Sequence, residues 1–248
     1  MKKVDRTINI LRVGVNNNYN FTRQEKEELS DLGWASDRLF VNSNSFVTIN
    51  ADFPSILTVN PYLDSFVEPR GDLSKLKACR VKYIYDAKNP KPIEDAFHWC
   101  AANNIPVLIT FMRFCSKESL KKYTRAGNGY AFNRNYQRLT KEGRAAAVSD
   151  IKVLASECGL DNKLLNFCDL QEEGCPECLN CAKLTYPDLV KRADEIKLFG
   201  VSLKSSGNEG ECIFHCPDCW AHRLHKGPRG GAYGKITQNS KQRGHVSH

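Results

Sequence analysis

Residues 105–112 read IPVLITFM, a nearly unbroken apolar run without a charge. A strand that faces water on one side alternates apolar and polar residues, whereas one buried on both sides does not. The run has the length of a strand rather than of a helix. Burial on both sides needs a packed layer on each face, which is the setting of a parallel sheet in an α/β fold.

The flanking segments agree with that setting. Residues 46–49 and 56–59 are short apolar runs bounded by Asn, Asp and Pro, and both read as strands. Residues 80–86 (RVKYIYD) alternate, and residues 164–169 and 196–203 complete the set of strands. Helices fall between them. Pro92 opens one in which Ile93, Ala96, Phe97, Cys100 and Ala101 follow the spacing of a single buried face. A second runs from Lys141 to about Cys158, with Ala147, Ile151, Leu154, Ala155 and Cys158 on one face. Gly159 is placed to end it in the left-handed conformation. Ser116 is an N-cap candidate, and Thr185 and Pro187 open a short helix. Residues 1–44 are polar, with a Thr22-Arg-Gln-Glu25 capping box that predicts a helix to about Leu32.

These elements predict an α/β fold with a mainly parallel sheet, as a partial or complete barrel or an open sheet, and a C-terminal cysteine-rich metal-binding region. The expected parts are a polar, helical extension over 1–44 and an α/β core over 45–204. Metal-binding knuckles over 168–225 overlap that core, and a basic tail covers 226–248.

Parallel strands gather their carboxyl ends at one edge, where α/β proteins place their sites. Asn60, Asp64, Asp86, Arg113, Asp169 and Lys204 each fall just past an expected strand. Asp86, Arg113 and Asp169 are the candidates for acid–base chemistry and anion binding. Lys204, Ser205 and Gly207 lie in a glycine-containing loop that suits a phosphate-bearing cofactor, without the G-x-x-x-x-G-K-[ST] pattern. Neither G-x-S-x-G nor H-E-x-x-H occurs in the chain.

Six of the eleven cysteines lie in two stretches, Cys175-Pro-Glu-Cys178-Leu-Asn-Cys181 and Cys212-Ile-Phe-His215-Cys216-Pro-Asp-Cys219. Thiolates at C-x-x-C spacing converge on one metal from a turn, and Pro176 and Pro217 favour such turns. Cys178, Cys181, Cys216 and Cys219 fit a four-thiolate Zn2+ site, with Cys175, Cys212 or His215 as replacements or as a second set. An iron–sulfur cluster fits too, because Cys175, Cys178 and Cys181 have ferredoxin-like spacing and Cys216-Pro suits a fourth ligand. Cys168 ends a strand on the same edge. Cys79, Cys100, Cys115 and Cys158 stand apart and read as buried free thiols, the reading that would hold for every cysteine in a metal-free protein.

The segment Cys212-x3-Cys216-x2-Cys219 resembles the C-x3-C-x2-C signature of the radical S-adenosylmethionine (SAM) superfamily. The resemblance covers eight residues, with Asp218 where that family usually has an aromatic. It implies a [4Fe-4S] cluster on Cys212, Cys216 and Cys219, one iron open to S-adenosylmethionine, and a full or partial α/β barrel. The family's motif follows the first strand, whereas this one lies near the C-terminus. The resemblance therefore implies a circularly permuted barrel in which residues 196–203 take the first-strand role. It also implies an auxiliary cluster on Cys175, Cys178 and Cys181.

The net charge is +8, and from Trp220 onward there are six Lys or Arg and no Asp or Glu. Such a tail is drawn to phosphates, which makes nucleic acid the expected partner. No run approaches the roughly 18 apolar residues of a membrane span. No signal-like apolar core follows the basic start, so the expected location is cytoplasmic, where cysteines stay reduced. Three function classes follow. One is a zinc-stabilised protein that binds or acts on nucleic acid. The second is a radical-SAM-like [4Fe-4S] enzyme, and the third is a non-enzymatic interaction module with a structural metal.

Overall fold

The computed structural model describes residues 7–13, 27, 38–43, 49, 52–59, 66–133, 136–168, 179–193 and 195–201. Its strands are β1 (Thr7–Val13), β2 (Leu39–Ser43), β3 (Ser55–Val59), β4 (Leu76–Tyr83), β5 (Val107–Phe111), β6 (Tyr130–Asn133), β7 (Tyr136–Leu139), β8 (Leu165–Phe167) and β9 (Glu195–Val201). Its α-helices are α1 (Lys91–Ala102), α2 (Lys117–Tyr123), α3 (Lys141–Glu157), α4 (Asn180–Thr185) and α5 (Pro187–Lys191). Seven strands form one sheet in the order β8-β5-β4-β3-β2-β1-β9, and every neighbouring pair is parallel. β6 and β7 form a separate antiparallel hairpin. Among the described residues no helix is long and apolar enough to cross a membrane.

The apolar run at 105–112 holds β5, between β4 and β8. Its side chains divide between two layers. Val107, Ile109 and Phe111 join Leu57, Val81, Ile93, Phe97, Ala147 and Ile151 in the core under α1 and α3. Leu108 joins Ile8, Ile10, Phe40, Ile56 and Ala78 on the opposite face, which Cys181 and Ala182 of α4 cover. Helices therefore pack on both faces, as the run requires.

Both long helices end through local chemistry. Asn104 takes φ 52° after α1, and the Ile105 amide donates to the Cys100 carbonyl at 2.9 Å. Gly159 takes φ 74° after α3, and the Leu160 amide donates to the Ala155 carbonyl at 2.8 Å. Each is a Schellman ending, with the following apolar residue buried. At the other end of α3, Thr140 Oγ1 accepts from the Gly143 amide at 3.0 Å. Ser116 caps α2 as its side chain predicts, accepting from the Ser119 amide at 3.1 Å.

Several expectations are corrected. The sheet is not a closed barrel among the described residues, because its edges are β8 and β9. Its Ile8–Ile56–Leu108 face is filled by α4 and α5 rather than by the opposite wall of a barrel. The sheet also begins upstream of residue 45. β1 and β2 lie within the span read as a polar extension, and their apolar residues are buried. The β6–β7 hairpin was not expected at all. Cys79, Cys100 and Cys158 are buried free thiols, but Cys115 is exposed. Apart from Glu27, the helix expected after Thr22 lies outside the described residues, as does the strand at 46–49 apart from Ile49.

Candidate functional site

Side chains two apart on a strand share a face. On the α4 face this spacing makes a two-part pattern. Ile10, Phe40, Ile56, Ala78 and Leu108 lie toward the amino ends of β1 to β5. Two residues further along the same strands stand Arg12, Asn42, Thr58, Arg80 and Thr110. The first set is apolar core, and the second is a set of polar positions in the carboxyl halves of the strands, staggered rather than level, since Arg12 pairs with Phe40 and Arg80 with Leu108. Parallel pairing sets Thr58 beside Arg80 and Asn42 beside Ile56.

Burial makes this set unusual. Asn42 and Thr58 are each 1% exposed. Among the described residues, neither Asn42 Nδ2 and Oδ1 nor Thr58 Oγ1 has a hydrogen-bond partner. A buried polar atom left unpaired costs about 1–3 kcal/mol, and interiors seldom carry several side by side. Two cysteines face the same layer. Arg80 Nη2 donates to Cys181 Sγ at 2.8 Å, and Thr110 Oγ1 donates to Cys168 Sγ at 3.3 Å.

A second feature lies past the end of β4. A cleft of about 340 Å3 is lined by Tyr83, Tyr85, Asp86, Arg125, Asn128 and Asp150, among others. Asp86 has φ 57°, rare for a residue with a side chain. Its Oδ2 accepts from the Ala126 amide at 2.8 Å, and its carbonyl accepts from the Arg125 amide at 2.9 Å. The sequence candidate Asp86 therefore clamps the loop that forms one wall of the cleft. Close packing against α3 holds the next turn of that loop, because a Cβ on Gly143 would fall on the Gly129 carbonyl oxygen. Burial, and after it the Asp150 charge, pushes the Tyr83 phenol well above its ordinary value. Burial does the same to Tyr130, although its oxygen accepts from the Tyr85 amide.

Arg113 follows β5 and lies with its guanidinium carbon 5.2 Å from the Tyr136 ring centroid. That contact is a cation–π pair with β7. Asp169, Cys175, Cys178, Lys204, Ser205, Gly207, Cys212, His215, Cys216 and Cys219 lie outside the described residues, as does the basic tail. Of the clustered cysteines only Cys181 is described, and it is buried. Among the described residues no group of three or more His, Cys, Asp or Glu is placed to hold a metal ion.

The polar set was not among the sequence candidates. Its one-dimensional signal is slight: a polar residue inside a short apolar strand, two positions after an apolar one. Comparison of the chain with protein-family models, with curated proteins and with solved structures finds no match.

Proposed function

We propose that this chain is a radical-SAM-type [4Fe-4S] enzyme built on a permuted, open parallel sheet. The observation that carries the reading is the position of β9. It comes last of the described strands, yet it forms the sheet edge beside β1. Read from that edge, the sheet runs β9-β1-β2-β3-β4-β5-β8. Apart from the permutation, this is chain order, with each strand beside its predecessor. The motif of Cys212, Cys216 and Cys219 follows β9 in sequence. It therefore follows the first strand of the permuted order, as it does in the superfamily it resembles.

The donor set fits the group, since three thiolates leave one iron of a four-iron cluster open. When bound, such a cluster supplies the electron that cleaves S-adenosylmethionine and starts radical chemistry. The chain's own residues have a different task. Asn42 and Thr58 offer a donor and acceptors to a polar substrate at the carboxyl half of the α4 face, flanked by Arg12 and Arg80. The α4 and α5 helices keep water from that face, which strengthens each polar contact made there.

The test is reconstitution with iron and sulfide in the absence of oxygen, followed by a cleavage assay under reducing conditions. The reading expects iron in the protein, cleavage of S-adenosylmethionine, and loss of cleavage in Cys216→Ala. Protein that takes up only zinc and cleaves nothing overturns it. That result would return the cysteines to a structural site in a nucleic-acid-binding protein.

A further inference from the structure

We propose that the cleft past β4 is a binding site for a small primary amine, whose ammonium group is received by Asp86, Asp150 and the Tyr83 hydroxyl. The site lies on the α1 and α3 side of the sheet, away from the α4 face. It does not depend on the radical-enzyme reading.

The cleft is assembled from several elements. The end of β4 and the turn after it supply Tyr83 and Asp86, α1 supplies Ile93, and α3 supplies Asp150 and Leu154. Its volume of about 340 Å3 suits a small molecule. The lining holds two carboxylates against one cation, the exposed Arg125. Neither Asp86 nor Asp150 forms an ion pair among the described residues. The cleft is therefore negative on balance and selects a cation.

Tyr83 is an independent pointer to a ligand. It lines the cleft and is only 7% exposed, yet its hydroxyl has no hydrogen-bond partner among the described residues. A buried phenol usually has one. Unlike the polar atoms of Asn42 and Thr58, this oxygen is not sealed, so a partner can reach it through the cleft. Burial, then the Asp150 charge, then Tyr85 and Asp86 raise the phenol, which keeps it protonated and neutral.

The arrangement favours an amine over a guanidine. An ammonium has three N–H donors and no acceptor. Two carboxylates and one phenol oxygen match that number. A guanidinium prefers both oxygens of one carboxylate, but Asp86 Oδ2 is already held by the Ala126 amide. Ile93 and Leu154 offer an apolar wall to the carbon body of the ligand.

The experiment titrates the full chain with phenethylamine by calorimetry, with phenethyl alcohol as the uncharged counterpart of the same body. The expected result is about one amine per chain, half-saturated below about 10 mM, with the alcohol weaker by about 10-fold or more. Asp150→Asn and Asp86→Asn should each weaken the amine about 10-fold. Asparagine tolerates the left-handed backbone at residue 86 and still accepts from the Ala126 amide, so that variant tests the charge. Tyr83→Phe removes only the hydroxyl and should weaken the amine about 3-fold or more. Glu157→Gln removes an exposed charge about two turns further along α3 and should leave the affinity unchanged. The proposal is overturned if the amine fails to saturate in that range, or if the alcohol binds as tightly. It is also overturned if any of the three cleft variants keeps the parent affinity, or if Glu157→Gln loses as much as Asp150→Asn. The cysteine motif enters none of these readouts, so failure here and failure of the radical-enzyme reading are separate results.

Discussion

The two faces of the parallel sheet are built to different rules. Under α1 and α3 the strands present Leu57, Val81, Val107 and Ile109, and both helices answer with apolar residues. Under α4 the strands are apolar only in their amino halves. Their carboxyl halves carry Arg12, Asn42, Thr58, Arg80 and Thr110. The first face gains stability from dispersion and the exclusion of water. The second gives some of that up, because polar atoms of Asn42 and Thr58 are buried without hydrogen-bond partners among the described residues. A face that gives up stability in this way is where function is to be sought.

Opposite substitutions on the two faces break this comparison if it is wrong. The largest effect belongs to the first face. Phe97 of α1 is fully buried, and Phe97→Ala should cost about 3–5 kcal/mol through lost burial and the cavity left behind. Urea unfolding measures this, and a cost below about 1 kcal/mol would mean that α1 does not pack as described. On the second face the sign reverses. Thr58→Val removes an unpaired hydroxyl at little change of shape, and should raise stability by about 1 kcal/mol while impairing activity. A clear loss of stability would show that the hydroxyl has a partner in the folded protein.

The smallest effect sharpens the comparison where the first face meets the cleft. Burial raises the Tyr83 phenol in the folded state, with the Asp150 charge acting in the same direction. The unfolded chain therefore loses this proton at lower pH than the folded one. The contribution of Tyr83 is fully present below the ordinary value of 10.0. It is lost as pH rises from there toward the folded value. Wild-type protein should weaken above pH 10 more steeply than Tyr83→Phe, by less than about 1 kcal/mol at pH 10.5. Parallel pH profiles of the two proteins would count against a raised phenol.

What could be read in one dimension followed the same division. The helix stripe at Ile93, Ala96, Phe97 and Cys100 is buried as its spacing predicts. Gly159 and Ser116 act where their local chemistry puts them. β1 was readable in principle, because Ile8, Ile10 and Arg12 share one parity, but the surrounding Asn-rich stretch hid it. The β6–β7 hairpin is short, and its β7 strand is held by backbone bonds between Gln137 and Phe114 that leave no pattern in composition. The placing of Thr58 beside Arg80 depends on the register between β3 and β4. No single strand carries that information. Asp86 stands just past a strand, and its clamp on the Ala126 amide gives that position a mechanical role independent of any chemistry.

The pairing of Thr7 with Glu195 also bears on how the molecule is made. β1 is made well before β9, so its partner on one side follows only after β2 to β8 are out. Until then β1 shows a ladder of unpaired amides and carbonyls on that side, able to capture a strand from another chain. The entropy of closing so long a loop grows only logarithmically and does not forbid the pairing, but it delays it. A ribosome-bound chain stopped short of Glu195 therefore has β1 as a sticky edge, and its solubility rests on whatever shields that edge until β9 arrives.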